Sequence, residues 1–560
     1  MDNMSRLDVI SLSILVVSFA ILVNGDIFTS THEMESLLET HQRILEELDD
    51  YINKEDQRLS TLKRHLEIFK REQKKAMKDP VNYVGNPLNA FTLIKRLTYD
   101  LKEIEMTIKV GTEYINNVTL NHHDAVYPKN QDLAGAAVAL SRLQQTYRLE
   151  IDELAEGKLK GVTYSTPLSA GDCFELGKAL YNEEFHKDAL KWMTVALRKY
   201  EKEQISYNFT EENILDYIAF TNYLLGDMKS ALEWTKKLLT VNPNNERARD
   251  NILHYHRLIA EQEVALNRRR RGDIGEELDK EIEKEMEFSY AYGIDWKFYE
   301  KLCRGEGKIL PSMAKKLTCQ YLTGEHPFLR YAAIKMEYLY RDPDIVLYYD
   351  VLSDNEIDII KKLATPNFNR AKVQDSDTGT SQPANFRISK AAWLDDNDSP
   401  ALARVSRRVT DFTNLDLTSS EQLQVANYGI GGHYTPHYDF HHGNYSTQKN
   451  GNRIATVLFY MSDVAHGGAT VFVDLGVSVF PVKGAALVWM NLHRSGEGDL
   501  ATLHAACPVL LGSKWASNKW IHERGQEFLR PCGLEYQSQD MHIKLPRNVP
   551  TTQNNILLRI

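Results

Sequence analysis

The sequence predicts a multidomain chain of α and β parts. An all-α N-terminal half, made of a coiled coil and tetratricopeptide-like repeats, is followed by a C-terminal double-stranded β-helix (jelly-roll) domain. Three observations predict it. Apolar residues recur at 4-3 spacing from Met34 to Phe69, and a helix-turn-helix pattern with small residues at its packing positions repeats within 160–260. Beyond Pro343, short apolar runs separated by Gly-rich turns read as many strands. A length of 560 residues allows several domains, and a hydrophobic share of 42% is ample for more than one core. A formal net charge of -10 leaves no overall basic surface for nucleic acid.

Taken in order, residues 1–25 hold an apolar run from Val9 to Val23 closed by Gly25, which reads as a secretory signal peptide despite a poorly basic start. The run is short of the ~20 residues a membrane span needs, and no later segment is long and apolar enough to span. A lumenal protein beginning near Asp26 is expected. Residues 26–150 are predicted to be helical. Met34, Leu38, His41, Leu45, Leu48, Ile52, Glu55, Leu59, Leu62, Leu66 and Phe69 fill the a and d positions, nine of the eleven apolar, with His41 and Glu55 as registry-setting flaws. An antiparallel hairpin within one chain is the alternative to pairing between chains.

Residues 155–260 carry the repeat. Leu176-Gly177, Ala189 and Ala196 sit at tetratricopeptide spacing, and Ala231 with Pro243 echoes the second half of another unit, the stretch from Glu201 to Glu212 being an insertion. Tyr181, Phe185, Tyr217, Phe220 and Tyr223 give this region an aromatic face, which core packing alone would also explain. Residues 261–340 form a charged linker, including Arg268 to Arg271, and a lead-in. The sheet domain spans 341–535, with 536–560 as a tail. It opens with the capping box Ser353 to Glu356 and a helix to about Leu363. Strands follow at Phe386–Leu394, Gln422–Tyr428, Ile454–Met461, Ala485–Leu492, His504–Leu510 and Lys514–Glu523.

Five cysteines suit an oxidising compartment, and no CxxC points to zinc. Cys303 with Cys319, and Cys507 with Cys532, are near enough in sequence for two local bridges, which leaves Cys173 free. Asn117, Asn208 and Asn444 head glycosylation sequons.

The chemistry gathers between Tyr428 and Trp520. His437-Tyr438-Asp439 puts an imidazole and a carboxylate on one strand face, and His504 can close a third corner. Two His and one carboxylate leave coordination positions open, as in non-haem Fe(II) oxygenases. Alone, an HxD pair is a weak signal. The glycines before it (Gly429, Gly431, Gly432), the flanking strands, and His504 followed by Lys514 strengthen it.

With these residues the region resembles the catalytic domain of the collagen prolyl 4-hydroxylase alpha-subunit family, which are Fe(II)/2-oxoglutarate-dependent dioxygenases. The segments HAACPVL, SNKW and HERGQEF carry the likeness, which extends over nearly the whole chain. The resemblance implies that His437, Asp439 and His504 hold Fe(II), and that Lys514, with Tyr428 as a possible partner, meets the distal carboxylate of 2-oxoglutarate. Trp520 and His522 align with positions near the iron or the peptide. Arg453 aligns with a substrate-contacting arginine, a hairpin salt bridge being the alternative. It implies further that the repeat domain holds proline-rich peptide on Tyr181, Tyr217 and Tyr223, although Phe185 and Phe220 stand where the family is richer in tyrosine. The Cys pairing it implies is the same local one.

Ascorbate, dimerisation through the N-terminal segment, and an alpha2beta2 heterotetramer with protein disulfide isomerase in the endoplasmic reticulum lumen are also implied. The chain ends ILLRI, without a KDEL-like tail, so retention would come from that partner. The HHGNYS segment departs from the family pattern. Two other readings remain open on the residues: a catalytically silent scaffold for proline-rich peptides, and a cupin-like metalloenzyme of another reaction. The full ligand set argues against the first, and Lys514 with the repeat domain against the second.

Overall fold

The computed structural model describes residues 31–109, 130–203, 205–270, 294–323, 327–374, 381–383, 386–429, 431–441 and 449–533. The signal peptide, Asn117, Asn444, the HHGNYS segment from 442 onward, the charged linker from Arg271 to 293 and the 536–560 tail lie outside the described residues. The chain forms two compact units, one from 1–75 with 101–124, the other from 76–100 with 125–560.

In the first unit α1 (Thr31–Ala76) is one helix of 46 residues. Ile52, Leu59 and Leu66 on its 4-3 stripe are 48%, 45% and 51% exposed, so at those positions the stripe finds no cover among the described residues. Arg58 of the same helix donates to the Thr107 carbonyl at 3.4 Å.

In the second unit α2 (Asn130–Tyr147) buries Leu133, Ala136, Ala137, Leu140 and Leu143, the single stripe that a 3.6-residue period produces. The repeat domain follows as α3 (Ala170–Asn182), α4 (His186–Tyr200), α5 (Glu211–Leu224), α6 (Met228–Val241) and α7 (Glu246–Arg270). Capping boxes at Ser169 and Thr210 start α3 and α5 by satisfying their free N–H groups. The small residues do the work their spacing implies. Ala189, Ala196 and Ala231 are fully buried, and a Cβ on Gly177 would lie 3.0 Å from Met193 Cγ, so glycine lets α3 and α4 approach without pressing on Met193. Asn208, the described one of the three sequon residues Asn117, Asn208 and Asn444, is exposed in the inserted connection between α4 and α5.

The C-terminal part begins with α8 (Trp296–Cys303), α9 (Asp354–Ala364) and α10 (Pro400–Thr413) set against strands. Ser353 caps α9 with the expected box to Glu356. Numbered in chain order the strands are β1 (Cys319–Leu322), β2 (Ile334–Tyr340), β3 (Ile345–Tyr348), β4 (Asn369–Arg370), β5 (Lys390–Leu394), β6 (Leu423–Tyr428), β7 (Tyr434–His437), β8 (Arg453–Tyr460), β9 (His466–Gly467), β10 (Thr470–Phe472), β11 (Val477–Val479), β12 (Ala486–Met490), β13 (His504–Ala506), β14 (Val509–Leu511) and β15 (Lys514–His522). The major sheet runs β1-β2-β3-β12-β8-β15-β6-β5-β4, and the minor one β7-β13-β10-β11.

Alternation along the strands sorts the side chains into two layers. Ala455, Val457, Phe459 and Ile521 face the helices, where they pack with Ile357, Ile360, Leu402, Val405 and Val409. Leu458, Tyr460, Leu487, Trp489, Tyr428 and Ala516 face the minor sheet and meet Phe472, Val477, Val479 and Ala506. This is the predicted jelly-roll, with the site lying between its sheets.

Two expectations need correction. His504–Leu510 is not one strand, because Pro508 has no N–H to give a ladder and divides it into β13 and β14. The local bridges Cys303–Cys319 and Cys507–Cys532 are also not what forms. Cys303 is joined to Cys507, with Cα atoms 5.5 Å apart, while Cys319 and Cys532 are free and exposed and Cys173 is free and buried. The cause is tertiary: α8 packs against the minor sheet, Ser478 Oγ donating to the Leu302 carbonyl at 2.8 Å, and this brings the helix end to Cys507. Nearness in sequence carries no information about that docking.

Candidate active site

β7 and β13 are antiparallel neighbours, and their register sets His437 directly opposite His504. Asp439 does not share the strand with His437, as a continuous i, i+2 pair would. β7 ends at His437 and the carboxylate lies in the bend that follows. The bend still delivers it: Asp439 Oδ1 is 3.8 Å from His437 Nε2, and Oδ2 is 3.6 Å from His504 Nε2. One ligand atom from each residue lies within 4.8 Å of the others, spacing that can hold a metal ion.

Each imidazole is oriented through its other nitrogen. His437 Nδ1 meets the Thr435 carbonyl at 2.8 Å and His504 Nδ1 the Thr502 carbonyl at 3.0 Å. A carbonyl only accepts, so Nδ1 carries the hydrogen and the Nε2 lone pair of each ring points inward. Burial, with His504 alongside, pushes the His437 imidazolium down to about 3, which keeps that ring neutral and able to ligate. Burial alone would push the Asp439 carboxyl up, but the two imidazoles and Arg453 outweigh it and hold it at about 2. Thr456, fully buried, donates to Asp439 Oδ2 at 2.7 Å, and Asn491 Nδ2 donates in turn to Thr456 Oγ1 at 2.9 Å. The donor set thus fits a divalent metal: two neutral nitrogens, one ionised oxygen, and hydrogen-bonded supports behind them.

A pocket with about 430 Å³ of empty space, its open mouth included, extends from this centre between the sheets. It is lined by Tyr428, Lys514 and Trp520, as the sequence suggests, and by Arg387, Tyr434, Thr470, Trp489 and Asn518. Lys514 is directly opposite Tyr428 in the β6–β15 register, its ammonium 5.2 Å from the centre of that ring. It is 1% exposed and donates to the Gly468 carbonyl at 2.7 Å. Burial pushes this ammonium down to about 7, and among the described residues no ion pair offsets that burial.

At the rim, Arg453 and His522 are opposite each other on β8 and β15 and converge on Glu421. Arg453 forks onto both carboxylate oxygens at 2.5 and 3.0 Å, and His522 Nε2 lies 3.1 Å from Oε1. The Arg453 guanidinium also lies 4.1 Å from the Trp520 ring centre. Arg453 is therefore ion-paired, but to Glu421 of a segment 32 residues earlier and not within a hairpin as the alternative had it. In the repeat domain Tyr181 and Tyr217 meet edge to face at 5.1 Å, with Phe174 beside Tyr217. Tyr223 sits apart, packed on Tyr255, His254 and Phe220. Four of the five predicted aromatics thus fall into two clusters, and Phe185, 39% exposed, stands outside both.

Sequence reasoning missed Glu421, Arg387, Thr456 and Asn491. Thr456 left a signal, as the lone polar residue on the inward face of the otherwise apolar Ile454–Met461 run. Arg387 and Glu421 left none, since each acts through partners distant in the chain.

Known proteins fit this arrangement region by region. Residues 30–161 match the family described as the prolyl 4-hydroxylase alpha-subunit N-terminal region, 170–261 the prolyl 4-hydroxylase peptide-substrate-binding domain, and 423–522 the 2OG-Fe(II) oxygenase superfamily. The chain is 44% identical over 539 residues to prolyl 4-hydroxylase subunit alpha-2 of Caenorhabditis elegans, covering 95% of this chain and 97% of that one. It is 42% identical over 521 residues to prolyl 4-hydroxylase subunit alpha-1 of Homo sapiens, covering 92% and 96% respectively.

Proposed function

The chain belongs to the prolyl 4-hydroxylase alpha-subunit family, oxygenases that use Fe(II) and 2-oxoglutarate and act on proline, and we propose the following division of labour among its residues. His437, Asp439 and His504 hold the iron. Lys514 takes the distal carboxylate of 2-oxoglutarate, with the Tyr428 hydroxyl beside it, and Trp520 walls the pocket between them. The observation that carries this reading is a three-ligand cluster and a buried, uncompensated lysine opening onto one pocket. Iron supplies the redox chemistry that couples decarboxylation of the oxo-acid by O2 to hydroxylation of proline.

The chain's own residues place the reactants. The main-chain carbonyls of Thr435 and Thr502 hold the imidazoles in their ligating tautomer. Thr456 and Asn491 hold the carboxylate, and the apolar walls Leu458, Trp489 and Ala516 keep water from the oxo-acid. Glu421 holds Arg453 and His522 at the rim, where we place the peptide. The silent-scaffold and cupin-like readings are not favoured. The test is succinate release with a proline-rich peptide: stoichiometric succinate and hydroxyproline are expected, and binding without turnover would return the chain to a scaffold.

We place proline-rich peptide also on Tyr181 and Tyr217, whose half-buried rings leave faces for stacking, and on Tyr223 in the second cluster. Tyr217→Ala is expected to raise KM for long peptides about tenfold while barely moving it for short ones, since only a long peptide gains effective concentration by binding both domains. Steady-state kinetics on peptides of two lengths check this.

The exposed stripe of α1 supports pairing with a second copy. Leu59→Asp with Leu66→Asp is expected to shift the assembly to a lower oligomer by sedimentation and to leave turnover of short peptides within about twofold, the stripe lying far in sequence from the site. We propose protein disulfide isomerase as the beta subunit of an alpha2beta2 assembly, ascorbate as the reductant that restores the iron after uncoupled turnover, and the endoplasmic reticulum lumen as the location. The disulfide Cys303–Cys507 and the exposed sequon at Asn208 support that compartment. Among the described residues no helix is long and apolar enough to cross a membrane.

A further inference from the structure

Helix α2 lies against two glycine turns of the jelly-roll, each next to a residue of the site. Arg142 Nη1 donates to the Gly431 carbonyl at 3.4 Å, in the turn that follows Tyr428. At Gly431, with φ +54°, an added Cβ would lie 3.0 Å from the Ala139 carbonyl oxygen. At the other turn Tyr147, 5% exposed, donates its hydroxyl to the Pro508 carbonyl at 2.5 Å. That carbonyl also accepts the Gly468 N–H at 3.0 Å. Gly468 in turn offers its own carbonyl to Lys514 Nζ at 2.7 Å, which is the only hydrogen bond of that ammonium among the described residues. Gly467 has φ +78°, and a Cβ there would fall 2.6 Å from the Tyr147 hydroxyl oxygen. The turn thus has no room for a side chain at Gly467.

We infer that Tyr147 is a positioning residue for the oxo-acid end of the site: by sharing the Pro508 carbonyl with Gly468 it fixes the Gly467–Gly468 turn, and through that turn the Lys514 ammonium. A buried lysine on a flexible four-carbon stem keeps its direction only if its acceptor is fixed. The Gly468 carbonyl follows the two-residue strand β9, at two successive positive-φ glycines whose backbone no side chain restrains. The second hydrogen bond on Pro508 comes from a helix outside the jelly-roll, so the helical half of the chain holds the anchor of the oxo-acid site. The inference rests on the proposed role of Lys514.

The test measures the Kd of 2-oxoglutarate for the full chain loaded with Mn(II), by calorimetry without turnover. Tyr147→Phe, which keeps the ring and loses the hydroxyl, is expected to raise Kd about fivefold, the worth of one hydrogen bond. Mn(II) affinity should stay unchanged. Gly467→Ala, whose Cβ would fall 2.6 Å from both the Tyr147 hydroxyl and the Pro508 carbonyl oxygen and so break the bond between them, is expected to weaken 2-oxoglutarate at least as much, and serves if Tyr147→Phe does not fold. Arg142→Lys, at the other turn, is expected to stay within twofold. Added to Lys514→Ala, Tyr147→Phe should weaken binding no further, because it acts only through that lysine.

An unchanged Kd in Tyr147→Phe, an equal rise in Arg142→Lys, or an additive loss in the double variant overturns the inference. If Lys514→Ala alone leaves Kd unchanged, the role of Lys514 is what fails.

Discussion

Asp439→Ala is expected to abolish proline hydroxylation, with a loss of at least about a thousandfold, while the chain stays folded. The carboxylate is the only anion among the three ligand residues, and holding it costs the protein something. It is 5% exposed, so burial opposes its charge, and the His504 and His437 rings, Arg453 and the Thr456 hydroxyl that face it favour the ionised form. Removing a ligand from a three-residue site leaves two neutral nitrogens, too weak a set to retain Fe(II). Core burial does not depend on this side chain, so the thermal transition should move little in the metal-free state. His437→Ala and His504→Ala should behave alike. Iron content after gel filtration, far-UV circular dichroism and hydroxyproline formation are the three measurements. Hydroxylation retained in Asp439→Ala would remove these residues from the chemistry.

Lys514→Ala is expected to raise the 2-oxoglutarate KM by about a hundredfold or more, since a carboxylate left unpaired in a buried site costs about 3–5 kcal/mol. Lys514→Arg should recover only part of it, because a planar fork cannot occupy the place of a compact ammonium. The pH dependence follows from burial. The ammonium titrates at about 7 in the folded chain without ligand, against an ordinary 10.5. Between those values the unfolded chain holds a proton that the folded one lacks, so through this group the stability of the ligand-free protein rises with pH from about 7 to 10.5.

Binding has the opposite sign. A carboxylate favours the charged lysine, so 2-oxoglutarate binding needs no proton below about pH 7 and takes one up above it. Affinity should therefore fall as pH climbs through 8 and 9. Calorimetry in buffers of different ionisation enthalpy at pH 8 reads that proton directly. Lys514→Ala should abolish the uptake, and an unchanged proton count in that variant would exclude Lys514 as its source.

What the sequence made legible was whatever depends on periodicity or on a short motif. The inward face of β15 is Lys514, Ala516, Asn518 and Trp520, four residues at a spacing of two, so recognising the strand already places Lys514 and Trp520 on the same side. The capping box at Ser353 and the small residues of the repeat were equally readable, being local. Pro508 was readable too, and its effect on the run from His504 to Leu510 follows from the missing N–H alone. Helix α10 shows the limit of attending to strands. Ser399 and Pro400 mark its start, and Leu402, Val405, Val409 and Phe412 its buried face, signals that were present but stood within a strand-rich stretch. Glu421 and the Cys303–Cys507 bridge are different in kind. Nothing within several residues of either distinguishes it from a surface acid or a locally paired cysteine, because the docking of one segment on another decides both.

Both imidazoles proposed to hold the metal are oriented by a carbonyl two residues earlier in the chain, that of Thr435 for His437 and of Thr502 for His504. An anchor made of main chain is the same whatever side chain position 435 or 502 carries. The orientation of the ligands is thus insulated from sequence drift at the very positions that set it, and substitutions there should be tolerated wherever the backbone path is kept.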